Sequence, residues 1–247
     1  MRTVVKVVLG LAAAALVAMA ALGVWVLGPT AAPSGEITAI PIEATLPQAE
    51  VIQPTEVESG SGESAAADGA TTFELVQTET EARFLIDEIL SGSPKTVIGV
   101  ASQVAGQILI DPANPAATQM GPVTVNARTF ATDNGNRNRA IQNAILQTGA
   151  FEFITFTPKQ LLGLPASVAV GDTFTFQVVG DLQIKDQVSE VTFDVTVRVE
   201  SETRLSGQAS ATVAREQFGL GLIQTPPQVA SVSPQVILEL NFVAVSQ

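Results

Sequence analysis

The hydrophobic and polar positions of this 247-residue chain fall into three textures, one after another. The first is a run from Val7 to Leu27 without a charged or strongly polar side chain. Wound as a helix at ~1.5 Å per residue it would span roughly 31 Å, the thickness of a bilayer's hydrocarbon core. The second, Gly28 to Thr72, scatters its apolar residues among Pro, Gly, Ser, Ala and Glu and closes on Ser59-Gly60-Ser61-Gly62-Glu63-Ser64. Lacking apolar periodicity, it cannot offset the entropy of ordering, which predicts a disordered tether. As a flexible coil it would reach on the order of 40 Å. The third texture begins at Phe73, where the period becomes two.

There, Phe174, Phe176 and Val178 alternate with Thr173, Thr175 and Gln177. Val191, Phe193, Val195, Val197 and Val199 alternate with Thr192, Asp194, Thr196 and Arg198. Val236, Leu238, Leu240 and Phe242 repeat the pattern against Glu239 and Asn241. Shorter runs at 82–89, 97–101, 104–110, 121–126 and 207–213 behave alike. Such runs predict strands with one buried face. Pro94, Pro112, Pro115, Pro158, Pro165, Pro226, Pro227 and Pro234 are expected between them, where a sheet tolerates proline. One stretch reads as helix instead, from Asn136 to Leu146. Asp133 or Asn134 can cap it, Ile141 and Ile145 share a face, and Thr148-Gly149 stops it. Roughly eight strands and one short helix predict an all-β fold, an antiparallel barrel that leaves no open edge. The expected division is an anchor over 1–27, a tether over 28–72 and the β-domain over 73–247.

Charge gives the chain a direction. Arg2 and Lys6 are the only charges before Gly28, and no Lys or Arg follows until Arg83. By the positive-inside rule the N-terminus is cytoplasmic and the β-domain extracytoplasmic, on a single-pass anchor in the cytoplasmic membrane. The competing reading is a cleaved leader, framed by the small residues Thr30 and Ala32. The apolar run is longer than the ~7–15 residues of an ordinary signal core, which favours an uncleaved anchor. The net charge of −12 disfavours nucleic acid as a partner.

The composition also narrows the chemistry. Cys, His and Tyr are absent from the whole sequence. Thiol chemistry, Cys/His metal sites and imidazole bases are thereby excluded. The acids show no metal-ligand spacing, and Asp186, Glu190 and Asp194 sit beside a strand pattern as a solvated face would. A binding protein without metal or cofactor is expected rather than an enzyme.

The block from Val125-Asn126-Ala127-Arg128-Thr129-Phe130 through Asp133-Asn134-Gly135-Asn136-Arg137-Asn138-Arg139-Ala140-Ile141, continuing to Phe151-Glu152-Phe153-Ile154-Thr155-Phe156, resembles the YceI family. That family shows a strand, a Thr/Asp turn, an Arg-Asp or Arg-Asn pair opening a short helix, and an aromatic-rich return strand. Val179-Gly180-Asp181-Leu182, Gln217-Phe218-Gly219-Leu220 and Leu238-Glu239-Leu240-Asn241-Phe242 are similar to further family segments. The resemblance implies a lipocalin-like eight-stranded antiparallel barrel whose lumen accepts a polyisoprenoid chain, such as a quinone or isoprenyl lipid. Asn138 stands where many members have Asp. The missing His removes any head-group contact through an imidazole.

Candidate ligand-binding residues are Phe84, Ile86, Ile108, Val123, Val125, Phe130, Ile141, Ile145, Phe151, Phe153, Phe156, Phe174, Phe176, Val191, Phe193 and Val195. These side chains either line an apolar tunnel or fill the core; the resemblance favours the tunnel. Arg137 and Arg139 could hold a head group, though pairing with Asp133 or Glu152 is the simpler reading. A tethered interaction domain with a filled interior is the alternative function, and a homodimer is compatible with either. The protein extracted from membranes should retain the full mass of the chain from residue 1. Intact-mass analysis checks this, and a mature N-terminus near Ala31 or Ala32 would mark a cleaved leader instead.

Overall fold

The computed structural model of the protein describes residues 26, 28–42, 70–220 and 229–247. The apolar run up to Leu27, apart from Val26, and the tether from 43 to 69 lie outside the described residues. Among the described residues no helix is long and apolar enough to cross a membrane.

Strands β1 (Thr71–Leu75) and β2 (Glu81–Leu90) form one extended stretch, interrupted by a 3-10 turn at Gln77–Glu79. Strands β3 (Ser93–Ala101), β4 (Val104–Ala105) and β5 (Gln107–Ile110) form the next. After the short β6 (Gln119–Met120) come β7 (Val123–Asn126) and helix α1 (Gly135–Ala140). Four long strands follow: β8 (Phe153–Leu162), β9 (Thr173–Ile184), β10 (Gln187–Ser201) and β11 (Arg204–Ala214). The short β12 (Val229–Val232) and the long β13 (Gln235–Ser246) close the chain.

Every pairing is antiparallel, and the order from β7 through β8, β9, β10 and β11 to β13 follows the sequence. One edge of β13 pairs with β11. Its other edge pairs with β2 at Ile237–Asn241 and with β1 at Ala244–Ser246. Beyond that seam, β2 pairs with β3, β1 with β5, and β4 with β7. The sheet therefore curls strongly round on itself, last stretch against first. The period-two reading holds inside it: Val191, Val195, Val197 and Val199 are buried, while Thr192, Asp194, Thr196 and Arg198 are exposed.

Three strand glycines are explained by aromatic rings lying across their backbone. A Cβ on Gly99 would fall 2.0 Å from Cε1 of Phe84, its cross-strand partner. At Gly180 it would meet Phe156 Cζ at 2.6 Å, and at Gly207 it would meet Phe242 Cζ at 2.6 Å and the Thr196 carbonyl at 2.4 Å. Each absent side chain lets a ring lie flat against the wall instead of standing off it.

Several expectations shift. Pro94 and Pro158 lie within strands rather than between them. Pro94 is the second residue of β3, and Pro158 sits where the β8–β9 register slips between Pro158 and Gln160, so neither proline breaks a regular ladder. The helix ends at Ala140 and continues as a wider π turn over Ile141–Ile145, closed by the Leu146 N–H donating to the Ile141 carbonyl at 2.8 Å. That wider turn brings Ile141 and Leu146 into the core together. Asn134, rather than Asp133, caps the helix, its side chain accepting from the N–H groups of Asn136 and Arg137.

The largest difference concerns the tether. Its first part, residues 28–42, is strapped along the outside of the curled sheet. The Asn143 amide donates to the carbonyls of Val26 and Gly28, each at 3.2 Å. Arg128 donates to the Ala32 carbonyl at 3.0 Å, and the Gln77 amide to that of Ile37 at 3.3 Å. Ser34 donates its N–H and hydroxyl to the two oxygens of Glu152, at 2.6 and 2.7 Å. Composition could not show this, because backbone groups rather than apolar side chains make most of the contacts. At Glu152 burial pushes the carboxyl up, but the Ser34 donors, the Asn126 amide and the Arg128 guanidinium outweigh it and hold the group below the usual glutamate range.

Two outcomes follow from these contacts. Gly207→Ala should cost roughly 1–3 kcal/mol in chemical denaturation, because backbone and ring must both yield, whereas Gly149→Ala, whose Cβ would meet nothing within 4 Å, should be close to neutral. A carboxyl depressed by folding stabilises above its unfolded pKa and loses that contribution as pH falls through the folded value. Hydrogen exchange at the Ser34 amide should therefore be slow at neutral pH and accelerate as the solution is acidified below the ordinary glutamate range. In Glu152→Gln it should be fast throughout, with strand amides still protected.

Candidate ligand-binding face

Alternation along neighbouring strands stacks the inward side chains in tiers. Val195 faces Phe176 on one side and Ala209 on the other, and the row continues through Leu240 to Ala82 and Ala101. The next tier holds Phe193, Val178, Ala211, Leu238 and Phe84 with Gly99. In these two tiers β11 contributes only small groups, Ala209 and Ala211. The concave face is therefore deeper along that stretch of β11 and shallower where the phenylalanines stand.

The tiers are not uniformly filled. Val178, Leu182, Val191, Val195, Leu205 and Phe218 are buried, whereas Phe84, Phe174, Phe176, Phe193, Leu238 and Leu240 face inward yet stay half-buried. Ring pairs line the face, two of them joining a half-buried ring to a buried one. Phe84 and Phe130 are 5.5 Å apart, Phe156 and Phe193 stand edge to face at 5.0 Å, and Phe174 and Phe176 are 6.0 Å apart. These two tiers form an apolar wall without a titratable group; Glu88 stands beyond them on the same parity of β2.

Of the sequence-derived candidates, Val123, Phe130, Ile141, Phe156, Val191 and Val195 belong to the buried core. Phe84, Ile108, Val125, Ile145, Phe174, Phe176 and Phe193 pack against it while half-buried. Ile86 is half-buried on the face that Phe84 shares, opposite Val97. Phe151 is half-buried in the turn before β8 and lies outside the cluster. Phe153 stands apart, 41% exposed: Ile154 and Phe156 point inward, so strand alternation turns Phe153 outward. Leu238, Leu240 and Val236 join the inward tiers, and the alternation at 236–242 already carried their signal.

Arg137 is engaged, as the simpler reading expected. It bonds Asp133 and reaches Glu88 at 2.9 Å, while Lys95 meets Asp133 at 2.7 Å. Arg139 is exposed and donates to the Asn136 side chain at 3.2 Å. Glu88 was missed: it continues the inward parity of Ala82, Phe84 and Ile86, and its side chain is 8% exposed. Lys95 and Arg137 hold Asp133 below the usual aspartate range. Beside this ion-pair group, Asp87, Glu88, Ile89, Pro94, Thr96 and Ser233 line an open depression of about 380 Å³ in which polar and apolar groups are mixed. Among the described residues no group of carboxylates is arranged to hold a metal ion.

No curated protein matches this sequence as a relative. Solved structures do match its fold. A polyisoprenoid binding domain from Saccharophagus degradans, implicated in plant cell wall breakdown, superposes with a TM-score of 0.57 at 14% identity, covering 72% of this chain and 99% of its own. BcnA of Burkholderia cenocepacia gives 0.56 at 17% identity, covering 69% of this chain and 99% of its own. At these identities the likeness concerns the fold. The family model for the YceI-like domain matches residues 73–244, from within β1 to within β13, and the chain belongs to that family.

Proposed function

We propose that the chain binds one apolar lipid of the polyisoprenoid class along the concave face of its barrel, outside the cytoplasmic membrane, and performs no catalysis. The observation that carries this reading is the set of inward yet half-buried apolar side chains, Phe84, Phe174, Phe176, Phe193, Leu238 and Leu240. A filled core would have no reason to leave them partly accessible. A prenyl chain laid along them gains about 0.8 kcal/mol for each methylene it buries, so affinity needs no ionic anchor. The polyisoprenoid binding domain among the structural relatives supports the choice of ligand class. The absence of Cys, His and Tyr leaves carboxylates as the main proton-transfer groups, and the one on the inward parity of β2, Glu88, is held in an ion pair by Arg137. Storage, shielding and transport of the lipid are all served by such a face.

The test compares wild type with Leu240→Trp. Leu240 pairs with Ala209 and Ala82, so the added indole enters the space above small neighbours. Organic extraction of purified wild type should yield a prenyl lipid, or the protein should take up added quinone. The variant should fold with a strain cost of roughly 1–3 kcal/mol and lose that capacity. Lipid-free wild type that also refuses quinone would sink the proposal and leave a tethered interaction domain with a filled interior.

A further inference from the structure

The strap bears on which end of the barrel would meet a membrane. This rests on reading residues 7–27 as an uncleaved span. One end of the curled sheet carries α1 and the π turn, together with the β2–β3 turn at Ser91-Gly92 and the β9–β10 turn at Lys185-Asp186. The register places them together, since β8 begins beside the end of β9 and β2 ends beside the start of β13. The opposite end carries the loop 163–172 and the β10–β11 turn at Glu202-Thr203.

A free tether of 45 residues would let either end face the bilayer. The chain is not free. Val26 and Gly28, flanking the last residue of the apolar run, are hydrogen-bonded to Asn143 in the π turn. From there the strap passes Arg128 and Glu152, then Gln77, and reaches Gly121, whose Cβ would meet Ile42 at 3.0 Å. It thus runs away from the helical end, and the point where the apolar run stops is held beside the π turn.

We infer that the strap docks the barrel with its helical end against the lipid surface, so that the apolar face is presented to the bilayer end first. The surface at that end fits such a partner. Phe153 and Val188 are 41% and 57% exposed there, and Arg139 is exposed on α1. Arg139 donates to the neighbouring Asn136 side chain, whereas Arg128 and Arg137 are tied to Glu152, Asp133 and Glu88, and Asp87 and Asp186 are exposed at the same end. Exposed apolar groups suit a bilayer's interfacial zone, but the opposite end has them too, with Val170 55% and Leu162 38% exposed, so the strap and not the surface selects the helical end.

The full chain, which has no native Cys, permits single-cysteine labelling. It would be reconstituted in nanodiscs of phosphatidylcholine and phosphatidylglycerol carrying a headgroup spin label. A fluorophore at Ser91→Cys or Asp186→Cys should be quenched severalfold more than one at Ser167→Cys or Glu202→Cys. Combining each label with Asn143→Ala, Ser34→Ala and Glu152→Gln, which together release the strap from the π turn and from the residue before β8, should abolish the difference while circular dichroism still reports the folded sheet. Equal quenching at both ends, stronger quenching at Glu202, or a difference that survives strap release would each overturn the inference. A chain that washes off the discs overturns it through the anchor, and leaves the lipid-extraction result for the barrel standing.

Discussion

The structure depends on one seam. β13 is hydrogen-bonded along both edges, to β11 on one side and to β1 and β2 on the other, and that second ladder joins the end of the domain to its beginning. A curled sheet left open there would present two unpaired edges and let its apolar face flatten into water. With the seam made, inward and outward faces become different environments. Everything said about a binding face follows from that separation. The stretches beside the seam give way together: the 3-10 turn at Gln77–Glu79 in one lies near the breaks around β4 in the next. There the Leu75 N–H donates to the Gly106 carbonyl at 3.0 Å, and the ladder is kept through the irregularity.

Inside the seam, side-chain size decides how much space remains. The pairs Phe84 over Gly99, Phe156 over Gly180 and Phe242 over Gly207 lay rings along the wall, and Ala209 and Ala211 keep β11 thin. Packed interiors leave little room for water-sized voids, so inward apolar groups that stay half-buried call for an occupant or a function. The charged groups are kept apart from this face. Glu88, Lys95, Asp133 and Arg137 knot the β2–β3 hairpin to α1 at one end. Arg128 acts as a second hub: besides Glu152 and Ala32, it donates to the Thr148 carbonyl at 2.8 Å and so ties the helical segment to the strap.

Much of this was legible residue by residue. The alternation at 173–178, 191–199 and 236–242 located three long strands and their buried faces, and Asn134 with Ile141 located the helix. The helix was shorter than expected because the π turn, which no propensity announces, brings two core residues inward. Phe153 was misread because aromatic content was weighed without strand parity; counting back by twos from Phe156 passes through Ile154, not Phe153. Glu88 was overlooked for the opposite reason, since a carboxylate on an inward parity is unexpected until its partner Arg137, 49 residues away in sequence, is found beside it.

By itself the sequence determined the texture of the chain: an apolar run long enough for a bilayer, a Pro- and Ser-rich connection, and a period-two domain of the YceI-like kind. These are properties of short stretches, set by side-chain hydropathy against the geometry of a helix or a strand. It also determined the chemistry that is absent, because residues that do not occur cannot act. Only the tertiary structure decided which strands meet, which inward residues remain half-buried, and that residues 28–42 lie against the sheet. Those outcomes depend on hydrogen bonds between distant segments, such as those of Ser34 with the Glu152 carboxylate. Such bonds use groups that every residue or many residues possess, so no local pattern of side chains can encode them.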